Sequence, residues 1–144
     1  MSRIEEALSS LKENFNCAQS IFGTYATQYG LDRDKALKIS SGFGGGMTLS
    51  GGTCGAVTGA FMVIGLKNGM GSSKDTEAKK KTYQVIKEFS NLFQEKIGSV
   101  ACTNILGCDL STPEGVAYFK QNESLVKKCF QCVKTAAEIL EEIL

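Results

Sequence analysis

The stretch SLVKKCFQCVKTAAEILEEIL, Ser124–Leu144, contains the C-x-x-C pair formed by Cys129 and Cys132. Its apolar residues recur three and four positions apart, which is the pattern of an amphipathic helix that buries one face. They are Leu125, Val126, Cys129, Val133, Ala136, Ala137, Leu140 and Ile143. The stretch therefore predicts a C-terminal helix with Cys129 on its buried face.

Helical spacing recurs along the rest of the chain, and no segment alternates with period two for long enough to predict a strand. Further helices are predicted around residues 4–11, 18–29, 32–39, 54–66, 75–97 and 102–106, and from Pro113 onwards. Asp32 and Asp75 are the expected N-caps, and Gly30 and Gly98 the expected ends. We expect one all-α domain, residues 1–144. It is a helical bundle with a glycine-rich loop between its third and fourth helices, and its core includes Tyr25, Tyr29 and Tyr83.

The composition excludes several classes of protein. With 16 basic and 15 acidic residues the net charge is +1, so the charge does not favour nucleic acid as a partner. Glu5 and Glu6 argue against a signal peptide. The longest apolar run, Gly55–Leu66, is shorter than the roughly 20 residues that cross a bilayer. We expect a cytoplasmic protein with no membrane insertion.

The chain has no histidine and six cysteines. Without histidine there is no Ser-His or Cys-His nucleophile pair, no histidine metal ligand and no C-x-x-C-H haem attachment. In the cytosol, several cysteines indicate metal binding or redox chemistry more often than structural disulfides. The chemistry of the chain is therefore expected to use sulfur.

A glycine-dense segment, GFGGGMTLSGGTCG, spans Gly42–Gly55 and leads into a predicted helix. It has no Walker A sequence, and Met47 or Leu49 stands where a G-x-G-x-x-G pattern needs its third glycine. Two interpretations stay open: a tight turn between helices, or a loop whose amides donate to a sulfur at Cys54. The candidate donors are Gly44, Gly45, Gly46, Gly52 and Gly55. At a helix start, Cys54 is also expected to have a lowered pKa.

The cysteines are dispersed over several predicted helices. Cys17, Cys54 and Cys102 lie at or near helix starts, and Cys129 lies on the buried stripe of the last helix. Any one of them alone is as well explained as a small core residue. Together, four helices would each present one sulfur to the interior, and four thiolates suit zinc or an iron–sulfur cluster.

The motif Cys54-Gly-Ala-Val-Thr-Gly59 has the form CGAxxG, and it occurs together with Asn16-Cys17-Ala-Gln-Ser20 and Ser41-Gly-Phe-Gly-Gly-Gly-Met47. In these segments, and around Cys102 and Cys129, the chain resembles the C_GCAxxG_C_C family of small redox-active proteins. The resemblance implies that the family's four recurring cysteines correspond to Cys17, Cys54, Cys102 and Cys129. Cys108 and Cys132 are extra, and each is interpreted as a spare ligand, a resolving thiol or a packing residue. A related domain accompanies an iron–sulfur centre in di-haem cytochromes of the split-Soret type. Because this chain has no histidine, the resemblance implies at most the iron–sulfur cluster and not the haems.

Three functions are expected from these features. The first is electron transfer or redox sensing with an unidentified redox partner, through a [2Fe–2S] or [4Fe–4S] cluster on Cys17, Cys54, Cys102 and Cys129. The second is metal-free thiol–disulfide or sulfur-transfer chemistry, with Cys54 as nucleophile and Cys17 or Cys102 resolving. The third is a structural zinc site or a helical partner-binding protein. A homodimer is also expected, because the helix Gly55–Leu66 is apolar nearly all round.

Overall fold

The chain folds into eight α-helices in a computed structural model that describes residues 1–144. They are α1 (Arg3–Lys12), α2 (Cys17–Tyr25), α3 (Arg33–Ser40), α4 (Gly55–Asn68), α5 (Thr76–Ile97), α6 (Cys102–Leu106), α7 (Pro113–Gln121) and α8 (Glu123–Ile143). The only extended pairing is a single antiparallel bridge between Thr53 and Ala101. The predicted all-α class is confirmed.

The ends of the helices follow from local side-chain chemistry. The Asp32 and Asp75 carboxylates accept hydrogen bonds from backbone amides in the first turns of α3 and α5. Asn16 starts α2 with a reciprocal pair of bonds, in which its side chain accepts from the Gln19 amide and its own amide donates to the Gln19 side chain. Gly98 ends α5 with φ of 102°, a conformation that glycine adopts without strain. The predicted N-caps and this predicted end are confirmed.

Helix α4 is the central element of the bundle and packs against α2, α5 and α8. Its glycines let α2 approach closely, since a Cβ added at Gly59 would lie 2.9 Å from the Ala18 carbonyl oxygen. The uniform hydrophobicity of this helix therefore reflects burial within one chain, and it no longer supports the predicted homodimer. No helix of the protein has both the length and the hydrophobicity needed to cross a membrane.

Aromatic side chains fill much of the core beside α4. Phe89 stacks on Phe93 with ring centroids 6.0 Å apart, and Phe61 meets Phe89 edge-on at 6.2 Å. Tyr25 is buried, as expected, and Tyr29 packs against the core. The prediction for Tyr83 is wrong, because the first turns of α5 extend beyond the core and leave this side chain 57% exposed.

The glycine-rich loop does lie between α3 and α4, and its backbone is left-handed over five consecutive residues. Positive φ values run from Gly45 through Leu49, and the carbonyls of Gly45 and Gly46 accept from the amides of Gly51 and Gly52. The loop then pairs with the segment before α6: the Cys54 amide donates to Val100 and the Cys102 amide to Gly52, both at 2.7 Å. This pairing places Cys54 and Cys102 at the same end of the bundle.

Candidate functional site

Five cysteines line one cavity of about 480 Å³, where the glycine-rich loop meets the ends of α2, α4 and α6 and the side of α8. They are Cys17, Cys54, Cys102, Cys129 and Cys132. The structure thus brings together the four cysteines singled out from the sequence. It adds Cys132, whose role the sequence left open among a spare ligand, a resolving thiol and a packing residue.

Helix N-termini position two of these sulfurs. Cys17 is the first residue of α2, and Cys54 immediately precedes α4. The unpaired amides and the dipole at a helix N-terminus stabilise negative charge, which favours the thiolate form of a cysteine there. The close approach of the two helices at Gly55, where an added Cβ would lie 3.2 Å from the Cys17 Cβ, keeps both sulfurs in the same cavity.

Cys54 and Cys132 form the first of two sulfur pairs. Hydrogen bonding by the Cys132 thiol is the main reason that the pKa of Cys54 is lowered. The amides of Ala56 and Val57 lower the pKa further, against the opposing effect of burial. The same bond, together with burial, raises the pKa of Cys132 far above its ordinary value. Cys54 is therefore the thiolate of this pair and Cys132 its proton donor.

Cys17 and Cys129 form the second pair. Hydrogen bonding with the Cys17 thiol lowers the pKa of Cys129 despite its burial. The hydrogen bond and then burial raise the pKa of Cys17 well above the usual range. Because Cys129 and Cys132 are three residues apart on α8, one helix face supplies a partner to each of the two cysteines that begin other helices.

The two remaining cysteines have different surroundings. Cys102 is buried at the start of α6, and burial followed by the neighbouring sulfurs raises its pKa to about 12. Cys108 does not line the cavity and packs against a small apolar cluster that includes Leu106 and Leu110. Of the sequence's two extra cysteines, Cys132 therefore belongs to the site and Cys108 does not.

The amides that face the Cys54 sulfur differ from those expected in the glycine-rich loop. Gly45, Gly46 and Gly55 line the cavity, but the Gly52 amide donates to the Gly46 carbonyl instead. Gly44 is absent from the cavity lining, and its carbonyl accepts from the amides that follow it in the loop. The amides of Ala56 and Val57 act on Cys54, as expected for the second and third residues of a helix that begins just after it.

The sequence left Cys132 open as a spare ligand, a resolving thiol or a packing residue, and did not place it among the four predicted site cysteines. A signal was present, since residues three apart on a helix share a face and Cys129 already lay on the buried stripe. Cys17 and Cys102, expected as resolving thiols for Cys54, are not its hydrogen-bond partners.

The spacing of the cysteine sulfurs decides which metal group they could hold. No three His, Cys, Asp or Glu side chains are grouped closely enough to hold a metal ion. Around one zinc ion with bonds of about 2.3 Å, four sulfurs lie within about 4 Å of one another, so the paired thiols are not a ready-made zinc site. In an iron–sulfur cluster the cysteines bind different irons and stand further apart, so four soft donors around a shared cavity suit that group better.

No curated protein and no solved structure matches the chain. The family model described as "Putative redox-active protein (C_GCAxxG_C_C)" matches residues 15–143. The matched range contains all six cysteines and every helix except α1. By this match over nearly its whole length, the chain belongs to the C_GCAxxG_C_C family of redox-active proteins.

Proposed function

We propose that this protein carries out thiol–disulfide exchange, with Cys54 as the attacking thiolate and Cys132 as the resolving thiol. The observation that carries this proposal is that Cys54, at the N-terminus of α4, and Cys132 line the same cavity, where the Cys132 thiol lowers the pKa of Cys54. Membership of a redox-active family supports the same class of chemistry. Because the chain has no histidine, the helix amides and the Cys132 thiol take the role that an imidazolium has in other cysteine enzymes.

The exchange has two steps. In the first, the Cys54 thiolate attacks one sulfur of a small disulfide, so that a mixed disulfide forms on Cys54 and the other sulfur leaves as a thiolate that takes a proton from water. In the second, Cys132 loses its proton and attacks the Cys54 sulfur, which releases the second thiol and forms the Cys54–Cys132 disulfide. The protein dithiol is oxidised by two electrons, and the small disulfide is reduced to two thiols.

Disulfide mapping tests this proposal. The protein is treated with bis(2-hydroxyethyl) disulfide, its remaining thiols are alkylated, and tryptic peptides are identified by mass spectrometry. We expect a cross-link between the peptides 39–67 and 129–134, which contain Cys54 and the C-x-x-C pair.

Three variants show which cysteine of the C-x-x-C pair is joined to Cys54 in that cross-link. Because Cys129 and Cys132 fall in one tryptic peptide, the cross-link should persist in Cys129→Ser and disappear in Cys132→Ser. Cys108→Ser is the matched control and should behave like the unmodified chain, since Cys108 does not line the cavity. A Cys54 that stays reduced at saturating disulfide, or a cross-link that survives Cys132→Ser, would overturn the proposal.

A second candidate function is electron transfer or redox sensing through an iron–sulfur cluster. It is favoured by the convergence of five sulfurs on one cavity that no carboxylate lines. Cys17, Cys54, Cys102 and Cys129 would hold the cluster, which when bound would supply one-electron chemistry. The buried position of Cys102 fits this role, since the exchange reaction gives that cysteine no part.

Metal analysis separates the two candidates. The protein is purified without oxygen, and iron, zinc and acid-labile sulfide are measured per chain. Stoichiometric iron and sulfide that fall sharply in Cys102→Ser, but not in Cys108→Ser, would support the cluster. One zinc per chain without sulfide would indicate a structural zinc site. A protein that stays metal-free after attempted reconstitution, with its thiols reactive, would leave exchange as the function.

We also propose that the protein acts in the cytoplasm, as a homodimer, and with a redox partner. Six free thiols suit a reducing compartment. Met47 and Leu49 are both exposed apolar residues of the glycine-rich loop, a surface that a dimer would cover. Light scattering after size exclusion tests the proposed homodimer. A molar mass of one chain at micromolar concentration would overturn it.

A further inference from the structure

We propose that the cysteine cavity binds a small dithiol or cyclic disulfide carried on an apolar chain that ends in a carboxylate, the chemistry of free lipoate. This inference rests on the exchange reaction proposed above and names its substrate class. At about 480 Å³ the cavity is far larger than a thiol pair requires, and it lies within the range of sites that hold small organic molecules.

The walls of the cavity are apolar. Leu11, Phe15, Phe119 and Phe130 are among the large apolar side chains that line it. Leu49, at the end of the left-handed loop segment, also lines the cavity while remaining 44% exposed. A ligand that fills this space gains stability by removing hydrocarbon from water, so its body should be apolar.

The buried end of the cavity carries sulfurs, and its exposed end carries a positive charge. The inner sulfurs, Cys54, Cys102 and Cys132, are buried, whereas Lys120 is exposed. Lys120 makes no ion pair and no hydrogen bond within the protein, and no Asp or Glu lines the cavity. A ligand with sulfur at its inner end and a carboxylate at its outer end would match both ends of the site.

The other polar side chains of the lining do not change this assignment. The Asn16 side chain is already used, because it accepts from the Gln19 amide and donates to the Ser41 carbonyl. Asn14 is exposed and neutral, so Lys120 is the one charged group that a ligand meets. A cyclic disulfide also suits the cavity because its two sulfurs remain in one molecule after the bond opens.

The reaction with such a dithiol is the reverse of the exchange above. One ligand thiolate attacks Cys54 in the Cys54–Cys132 disulfide, and Cys132 leaves and takes up a proton. The second ligand sulfur then attacks the first, which closes the cyclic disulfide and releases the Cys54 thiolate. The ligand loses two electrons and the protein disulfide gains them, and the stabilised Cys54 thiolate is a good leaving group.

The first experiment separates binding from chemistry. Octanoate has the apolar chain and the carboxylate but no sulfur, and we expect it to slow the alkylation of Cys54 by iodoacetamide in a saturable manner. Butanoate at equal concentration should protect far less, because it covers less apolar surface. Absence of protection by octanoate would overturn the substrate class, while disulfide formation with bis(2-hydroxyethyl) disulfide would show that the exchange function itself stands.

The second experiment measures the rate at which dihydrolipoate reduces the oxidised protein. It should exceed the rate with dithiothreitol, and Lys120→Met should slow dihydrolipoate about threefold while leaving neutral dihydrolipoamide unchanged. The matched control is Lys134→Met, on the exposed face of α8 and outside the cavity. Leu49→Asn keeps a residue that tolerates the left-handed backbone and should slow both lipoyl dithiols. Equal rates for dihydrolipoate and dithiothreitol, or no effect of Lys120→Met, would overturn the inference.

Discussion

Cys132, in the middle of the last helix, lines the same cavity as Cys54, which lies 78 positions earlier at the start of the central helix, and the Cys132 thiol is the main cause of the lowered pKa of Cys54. The pair joins a cysteine of the CGAxxG motif to the second cysteine of the C-x-x-C pair on the last helix. It gives a buried sulfur a lowered pKa without any basic side chain beside it.

Removing this donor should raise the pKa of Cys54. In Cys132→Ala, the amides of Ala56 and Val57 remain but the first cause of the lowered pKa is lost. We expect the pH dependence of Cys54 alkylation by iodoacetamide to move to higher pH, with a slower rate at pH 7. The control is Cys108→Ala, and an unchanged pH profile in Cys132→Ala would mean that the helix amides alone set the thiolate population.

The helices and the gathering of four cysteines could be anticipated because both depend on local spacing. Apolar periodicity and capping residues such as Asp32 and Asp75 act within a few positions of the chain. A cysteine on a buried stripe, such as Cys129, faces the interior, and cysteines on several helices of one small bundle can then meet there.

The pairing of the sulfurs could not be predicted from the sequence, because it depends on how the helices are placed relative to one another. The partner of Cys54 is set by the close contact of α2 and α4 at Gly55 and by the register of α8 against both. The left-handed loop is a similar case. Nothing in the local sequence indicates that Met47, Thr48 and Leu49, which are not glycines, adopt positive φ.

Gly55 should tolerate no side chain. A Cβ there would lie 2.9 Å from the Ala18 amide nitrogen and 3.2 Å from the Cys17 Cβ, so α2 would have to shift. We expect Gly55→Ala to lower the free energy of unfolding by about 1–3 kcal/mol, measured by urea denaturation. Gly65→Ala, in the same helix but with no atom within 4 Å of its Cβ, should be neutral or stabilising. Equal effects of the two substitutions would contradict the close packing.

The left-handed backbone at Met47 predicts a stabilising substitution. Met47 has φ of 71° and is 45% exposed, so its side chain adds strain and little packing. Relief of a left-handed conformation that costs roughly 1–2 kcal/mol should outweigh the extra disorder of glycine when unfolded. We therefore expect Met47→Gly to raise the free energy of unfolding by about 0.5–1 kcal/mol. Met70→Gly is the matched control, at 44% exposure and without positive φ, and should be neutral or destabilising.

Tyr25 should make stability fall at high pH. Burial, followed by the hydrogen bond from its hydroxyl to the Glu141 carboxylate at 2.8 Å, raises the pKa of Tyr25 above its ordinary value. Above about pH 10 the unfolded chain loses the phenol proton while the folded chain keeps it. The contribution of Tyr25 is thus complete below that pH and declines as the pH rises.

In Tyr25→Phe this decline should be smaller between pH 9.5 and 11, and the free energy of unfolding at pH 7 should fall by about 1 kcal/mol with the lost hydrogen bond. The six thiols are common to both proteins, so the difference between the two pH profiles isolates the phenol. Tyr118→Phe is the control, because Tyr118 is 58% exposed. If urea denaturation gave parallel pH profiles for Tyr25→Phe and the unmodified chain, the bond to Glu141 would not hold the Tyr25 proton.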